Sequence, residues 1–82
     1  MKAGISIEEA FGEVIRDLRK SAKLSQEKLA EKSQIDRSYI SQIECGHRQP
    51  SLLLIFQLAK SFKLAPSQLL SLVEEKYKKR PS

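Results

Sequence analysis

The sequence predicts an all-α fold, a single compact domain of five short helices. Apolar residues recur at i, i+3, i+4 and i+7 through most of the chain, and no stretch shows sustained alternation of apolar and polar residues. Ser and Asp residues suited to helix N-caps precede successive apolar clusters, and Gly or Pro separates several of them. Because 82 residues is the size of one domain, we expect a single domain over 1–82, with a core over about 6–78 and a basic tail over 76–82.

The first predicted helix runs from about Ile7 to Ala22. Its apolar residues, at positions 7, 10, 11, 14, 15 and 18, fall on one face. Ser6 precedes the helix as an N-cap, and Glu9 follows three residues later. This spacing predicts a capping box, in which each side chain accepts a hydrogen bond from the other residue's backbone N–H.

The second and third predicted helices are short and lie close together in the sequence. Ser25 is the N-cap of a helix over 26–32, and Asp36 is the N-cap of a helix over 37–45. Gly46 is placed to end the third helix with a left-handed backbone. Two short helices separated by about four residues have the spacing of a helix-turn-helix motif.

The outward face of the third helix is polar. Helical spacing places Ile40 and Ile43 together toward the core, so the other side near the N-terminal end carries Arg37, Ser38, Ser41 and Gln42. An arginine offers a bidentate donor pair to guanine, and a glutamine pairs through both ends of its amide with adenine. The helix therefore carries side chains suited to reading a DNA major groove.

Two further helices complete the predicted fold. Pro50 ends the preceding loop, Ser51 is the N-cap of a helix over 52–62, and Pro66 lies in the first turn of a helix that continues from Ser67 to about Lys78. The apolar residues of this fifth helix cover more than one face, so part of it is expected to pack against a second copy. The expected interface residues are Leu69, Leu72, Val73 and Tyr77.

The positive charge lies mainly near the C-terminus. Of the net charge of +5, residues 1–50 contribute nine basic and eight acidic side chains, and residues 51–82 contribute six and two. Such a basic tail suits an anionic partner such as nucleic acid. A solvated, frayed terminus is the alternative explanation.

Several classes of protein are excluded. The longest apolar run, 52–56, has five residues and is too short to cross a bilayer, and acidic residues precede any secretory h-region. Cys45 is the only cysteine and His47 the only histidine, so no metal site is expected, and Cys45 is expected to be a half-buried packing residue. The short apolar run, the absent secretory signal and the single cysteine predict a cytoplasmic protein. Because no nucleophile–base pair or phosphate loop is present, we expect a protein that is not an enzyme and has no cofactor.

The chain resembles the Xre/Cro-type, or lambda-repressor-like, DNA-binding family over roughly residues 6–73. The resemblance rests on the segments LSQEKLA (24–30) and IDRSYISQIE (35–44), followed by Gly46 and PSL (50–52). It implies a five-helix domain whose second and third helices form the helix-turn-helix. The DRSYIS segment (36–41) and the length of the chain are most similar to restriction–modification controller proteins.

The resemblance also implies roles for individual residues. The residues implied to read bases are Arg37, Ser38, Tyr39 and Gln42, and those implied to contact phosphates are Ser25, Gln26, Ser41, His47 and Arg48. Arg19 and Glu44 match an ion pair that joins the first helix to the base of the third. The sequence departs from the family at Lys23 and Gln34, where glycine is frequent. If both residues adopt a left-handed backbone, each costs about 1 kcal/mol relative to glycine.

The expected function is therefore that of a homodimeric transcriptional regulator bound to a palindromic DNA operator through the recognition helix 36–45. Two dimers on adjacent sites are a further expectation, and RNA polymerase would be a partner if the protein activates transcription. The alternative is an antitoxin-like or adaptor module that binds another protein through the same fold. Such a module would bind DNA only weakly and without sequence preference.

Overall fold

The computed structural model describes residues 4–80, so the last two residues of the predicted basic tail lie outside the described part of the chain. The five helices are α1 (Ile7–Ser21), α2 (Gln26–Ser33), α3 (Arg37–Glu44), α4 (Leu52–Ser61) and α5 (Pro66–Lys79). All five predicted helices are present, and their observed ends lie within one residue of the predicted ones. The all-α prediction is therefore confirmed.

Each of the first four helices begins at the predicted cap. The Glu9 N–H donates to Ser6 Oγ at 3.0 Å, and the Ser6 N–H donates to Glu9 Oε1 at 2.8 Å, which is the predicted capping box. The side chains of Ser25, Asp36 and Ser51 accept backbone N–H donors in the first turns of α2, α3 and α4. These bonds satisfy amide groups that have no partner inside the helix.

Four helices end in the same way, with one residue in the left-handed region. These residues are Lys23, Gln34, Gly46 and Lys63, with φ of 59°, 59°, 76° and 57°. After each, the next backbone N–H returns to the carbonyl five residues earlier, at 3.0, 3.2, 2.9 and 2.9 Å. This bond is typical of the Schellman motif. The ending at Gly46 is confirmed, and the two departures from glycine do adopt the left-handed backbone.

The core lies where α1 packs on α3 and α5, α2 packs on α3 and α4, and α4 packs on α5. Ile40 and Ile43 are buried in it, as the sequence predicts, so the opposite side of α3 faces outward. The most deeply buried large side chains are Ile15, Leu29, Ile40, Ile43, Leu58 and Leu69. No helix in residues 4–80 is both long enough and apolar enough to cross a membrane.

Two of the expected interface residues belong instead to the core of the single chain. Leu69 is 0% exposed and Val73 is 6% exposed, so assigning these two side chains to an interface is wrong. They belong to the core cluster through which α5 packs on α1 and α4. Leu72, 43% exposed, and Tyr77, half-buried, retain some accessible surface.

The C-terminal charge and Cys45 also differ from expectation. Lys76 and Arg80 form ion pairs with acidic residues of α1: Lys76 Nζ lies 2.7 Å from Asp17 Oδ2, and Arg80 pairs with Glu13. The start of the predicted tail is therefore part of α5, with some of its charge neutralised within the chain. Cys45 is exposed, not half-buried, because it lies at the C-cap of α3.

Candidate nucleic-acid interface

A buried carboxylate joins the three helices that position the outward face of α3. The Glu44 side chain is 1% exposed and accepts Arg19 Nε at 2.6 Å and Arg19 Nη2 at 3.0 Å. Gln26 Nε2 donates to the same carboxylate at 3.1 Å, and Arg16 Nε lies 3.7 Å from it. The pair implied by the resemblance is therefore present, and it fixes α3 to α1 and to the start of α2.

The charge state of Glu44 follows from these contacts. Burial by itself would raise the pKa of the carboxyl group. The hydrogen bonds from Arg19 and Gln26, together with the positive charges of Arg19 and Arg16, outweigh burial and lower the pKa of Glu44. The hydrogen bond to Glu44 in turn raises the pKa of Arg19. Both groups are therefore charged at neutral pH.

Gly12 lets α1 approach α3 closely. A Cβ atom at this position would overlap the carbonyl oxygen of Ile43 and lie 3.0 Å from that of Glu44. Only a residue without a side chain fits here, so Gly12 sets the distance at which α3 is held. Sequence reasoning missed this role, because a glycine inside a helical pattern does not show which element it contacts.

The N-terminal ends of α2 and α3 line one open groove. Ser25 and Gln26 from α2 lie along it with Arg37 from α3, beside Arg19 and Glu27. Within residues 4–80, the exposed Arg37 guanidinium has no hydrogen-bond or ion-pair partner. Because the N-terminus of a helix carries partial positive charge, the groove favours an anionic ligand.

Ser38 is held by the cap of its own helix. Asp36 Oδ1 accepts the Ser38 backbone N–H at 3.1 Å and the Ser38 hydroxyl at 3.2 Å. The hydroxyl hydrogen is thereby directed at Asp36, and the lone pairs of the oxygen remain as acceptors. In this arrangement Ser38 offers an acceptor to a base edge.

Three other expected contact residues form a cluster between α3 and the loop that follows it. Arg48 Nε donates to Gln42 Oε1 at 2.7 Å, and the Arg48 guanidinium lies over the Tyr39 ring, 5.0 Å from its centroid. Gln42 and Arg48 are exposed, while Tyr39 is half-buried and packs against the core. The sequence indicates each side chain separately, but it does not indicate their contact.

The remaining expected contact residues are less accessible or more peripheral. Ser41 is half-buried on α3, and His47 is exposed in the loop beside Arg48. Across the part of the chain that the structure describes, no group of three or more His, Cys, Asp or Glu side chains is arranged to hold a metal ion. The side chains on this face supply hydrogen-bond donors, acceptors and the positive charges of Arg37 and Arg48.

A second surface, which the sequence did not indicate, lies on α4. Leu52 and Leu53 are each 69% exposed and Phe56 is 53% exposed; we call these three residues the α4 apolar surface. Large apolar side chains gathered on one exposed face usually mark a contact with another molecule. The preceding Ser51 cap fixes this face at the start of the helix, directly after the loop that carries Arg48.

Comparison with known proteins identifies the family. Residues 15–69 match the HTH_3 family model, described as helix-turn-helix. The control protein C.BamHI from Bacillus amyloliquefaciens is 43% identical over 61 residues, which cover 73% of this chain and 75% of that protein. The matched segment spans only 39% of the length of two uncharacterized helix-turn-helix regulators from Mycobacterium tuberculosis.

Solved structures agree with the sequence comparison. The restriction–modification controller protein C.AhdI from Aeromonas hydrophila is 42% identical, with a TM-score of 0.72, over 76% of this chain and 94% of that one. The controller protein C.Esp1396I, crystallised as a tetramer with its natural 35 base-pair operator, is 25% identical, with a TM-score of 0.79, over 88% and 95% of the two chains.

Proposed function

This chain belongs to the Xre-type helix-turn-helix family, and from that premise we propose that it is a sequence-specific transcriptional regulator that binds palindromic operator DNA as a homodimer. Its similarity to C.BamHI and C.AhdI supports a restriction–modification controller role. These relatives are named as controllers and not as enzymes, which agrees with a protein that binds DNA without catalysis. We place it in the cytoplasm, on the nucleoid when bound.

The observation that carries the proposal is the exposed polar face of α3. Ile40 and Ile43 anchor the helix in the core, so its other side presents base-reading side chains to a groove. Arg37 supplies a bidentate donor pair with no competing partner in residues 4–80. We assign the recognition role to residues 36–45, with base contacts from Arg37, Ser38, Tyr39 and Gln42.

Backbone contacts on both sides of α3 would position this helix in the DNA groove. Ser25 and Gln26 stand at the start of α2, where the first backbone N–H groups have no partner inside the helix and suit a phosphate. On the other side, His47 and Arg48 are exposed in the loop that follows α3. Ser41 and Gln26 are half-buried, so they are less accessible than the other three proposed phosphate contacts.

A homodimer follows from the size of the reading element. An eight-residue helix is about 12 Å long, and it reaches only about four base pairs at 3.4 Å each. Two copies related by a two-fold axis would read a palindrome and double the contacted sequence. The tetramer of C.Esp1396I on its operator supports two dimers on adjacent sites. We assign the dimer contact to the α4 apolar surface, with Leu72 and Tyr77 of α5 as the sequence-based alternative.

The test is a binding selection from a randomised DNA duplex pool at about 0.15 M salt, followed by a salt titration on the selected duplex. The expected result is a palindrome whose half-site centres lie about 10 base pairs or a multiple apart. Recovery of no sequence, with binding that falls steeply with salt, would contradict the proposal. The protein-interaction module would then be favoured, with the α4 apolar surface as its contact face.

A further inference from the structure

We propose that Arg48 is a positioning residue that determines which base Gln42 reads. The inference rests on the proposed function, since it concerns the specificity of the same face. It goes beyond a phosphate contact, the role that the resemblance implies for Arg48, and beyond the adenine pairing expected for a free glutamine.

The contact between the two side chains fixes the orientation of the Gln42 amide. The Arg48 guanidinium has only donors, so the Gln42 atom at 2.7 Å from Nε must be the carbonyl oxygen. A glutamine without such a partner exchanges its oxygen and nitrogen by rotation about its last torsion. With Arg48 in place, the NH₂ group is held at the opposite end of the amide.

Arg48 is itself held by two features of the fold. Its guanidinium lies over the Tyr39 ring, 5.0 Å from the centroid, and Tyr39 packs against the core. The loop that carries it is fixed by the left-handed Gly46 and by the His47 N–H, which donates to the Gln42 carbonyl oxygen at 2.9 Å. The Gln42–Arg48 pair is therefore ordered before any ligand binds.

The consequence is a face that presents donors. Both side chains are exposed, and within residues 4–80 the NH₂ group of Gln42 has no hydrogen-bond partner, while Gln42 Oε1 is already engaged by Arg48. Guanine offers two acceptors, N7 and O6, in the major groove, whereas adenine offers one acceptor and one donor. The pair therefore suits guanine, and a Gln42 released from Arg48 suits adenine.

The experiment compares matched duplexes that differ at one base pair. Gln42→Ala first identifies the base pair of the selected operator whose preference depends on Gln42. The affinities for guanine and adenine at that position are then measured for the wild-type protein, Arg48→Lys and Arg48→Ala. A loss of phosphate binding lowers the affinity for both duplexes equally, so it cancels in the ratio of the two affinities. Arg48→Lys also keeps the positive charge.

The expected result is a wild-type preference for guanine that falls by about fivefold or more in both Arg48 variants. Lys32→Ala, which removes an exposed positive charge outside the proposed contact residues, is the control and leaves the ratio unchanged. A wild-type preference for any other base, a Gln42→Ala profile that matches wild type, or an unchanged ratio in the Arg48 variants would overturn the inference. Those outcomes would still be compatible with a sequence-specific regulator. The proposed function itself would fail only if the wild-type protein selected no sequence.

Discussion

At the scale of single residues, the proposed function assigns base selection and attachment to the DNA backbone to different side chains. Arg37 is exposed and without a partner in residues 4–80, whereas Gln26 is half-buried and bonded to Glu44. Arg37→Ala should cost about 1–3 kcal/mol of binding and relax discrimination at one base pair. Gln26→Ala should weaken binding to all duplexes about equally.

Equilibrium binding to the operator and to its single-base variants checks both expectations. Arg37→Lys, which keeps the charge but not the planar donor pair, is the control for charge alone. If both alanine variants lost affinity with no change in base preference, the assignment of Arg37 to base reading would be wrong.

The buried carboxylate Glu44 predicts a pH dependence of stability. Its pKa is lowered in the folded chain, so an unfolded chain binds the proton more readily, and the stabilisation is present above the ordinary pKa of 4.5 and lost as the pH falls below it. We expect Glu44→Gln to lower the free energy of unfolding by about 2 kcal/mol at neutral pH. The difference from wild type should shrink on acidification.

Urea unfolding at pH 7 and at successively lower pH measures this difference. Asp17→Asn, which removes an exposed carboxylate on the neighbouring helix, is the matched control. A wild-type advantage over Glu44→Gln that stays constant on acidification would show that the charge of Glu44 does not stabilise the fold.

Gly12 predicts a steric effect on the position of α3. Gly12→Ala should lower stability by about 1–3 kcal/mol, because the added methyl group overlaps backbone atoms of α3 and not the end of a movable side chain. It should also weaken operator binding, since α3 must shift. Ser21→Ala, exposed on the same helix, should change stability by less than about 0.5 kcal/mol. Equal unfolding curves for Gly12→Ala and wild type would refute the close approach.

At the scale of elements, the helix ends decide how α2 and α3 meet. Gln34 is left-handed at the end of α2, and the Ile35 N–H returns to the Ala30 carbonyl oxygen at 3.2 Å. A side chain in this conformation is strained relative to glycine. The hydrogen bonds and the burial of Ile35 (7% exposed) therefore determine the geometry of this turn, which contains no glycine.

Glycine at this turn should stabilise the domain. We expect Gln34→Gly to raise the free energy of unfolding by about 0.5–1 kcal/mol, after the entropy cost of glycine in the unfolded chain is subtracted. The matched control is Lys32→Gly, two residues earlier inside α2, which should lower stability by about 1 kcal/mol. Urea unfolding separates the two, and the same sign for both substitutions would contradict the strain argument.

At the scale of the whole molecule, the proposed homodimer requires a surface that joins two copies. The α4 apolar surface is the most exposed large apolar group in the described chain, while Leu72 lies in a groove lined also by Val14 and Leu18. A glutamate in place of Leu53 would put a charge into a buried contact, which is costly without a partner.

Leu53→Glu should therefore give a 9.3 kDa monomer with much weaker operator binding, while Leu72→Glu should remain dimeric. Analytical ultracentrifugation distinguishes the two variants. A protein concentration of about 10⁻⁵ M suits this measurement, because it exceeds a dimer Kd of about 1 μM. If Leu72→Glu alone gave the monomer, the interface would lie on α5, as the sequence analysis expected. A monomeric wild-type protein would contradict the homodimer altogether.

Much of the fold could be predicted, because helix starts and helix faces depend on neighbours in the sequence. The Ser6–Glu9 box spans three residues, and the burial of Ile40 and Ile43 follows from helical spacing alone. The interface prediction failed for Leu69 and Val73 for the opposite reason. An apolar helix face shows that its side chains are buried against another surface, but not whether that surface belongs to the same chain or to a second one.

By itself the sequence determined the five helices, their caps and the outward polar face of α3, since these depend on interactions within about one helical turn. Only the tertiary structure decided the contacts between distant segments: Gly12 against Ile43, Glu44 among three helices, and Lys76 on Asp17. It also decided the Gln42–Arg48 contact, which depends on the path of a loop. The physical reason is the same for all of these contacts. A hydrogen bond or a steric contact needs two atoms within a few ångströms of each other, and the packing of the helices sets that distance.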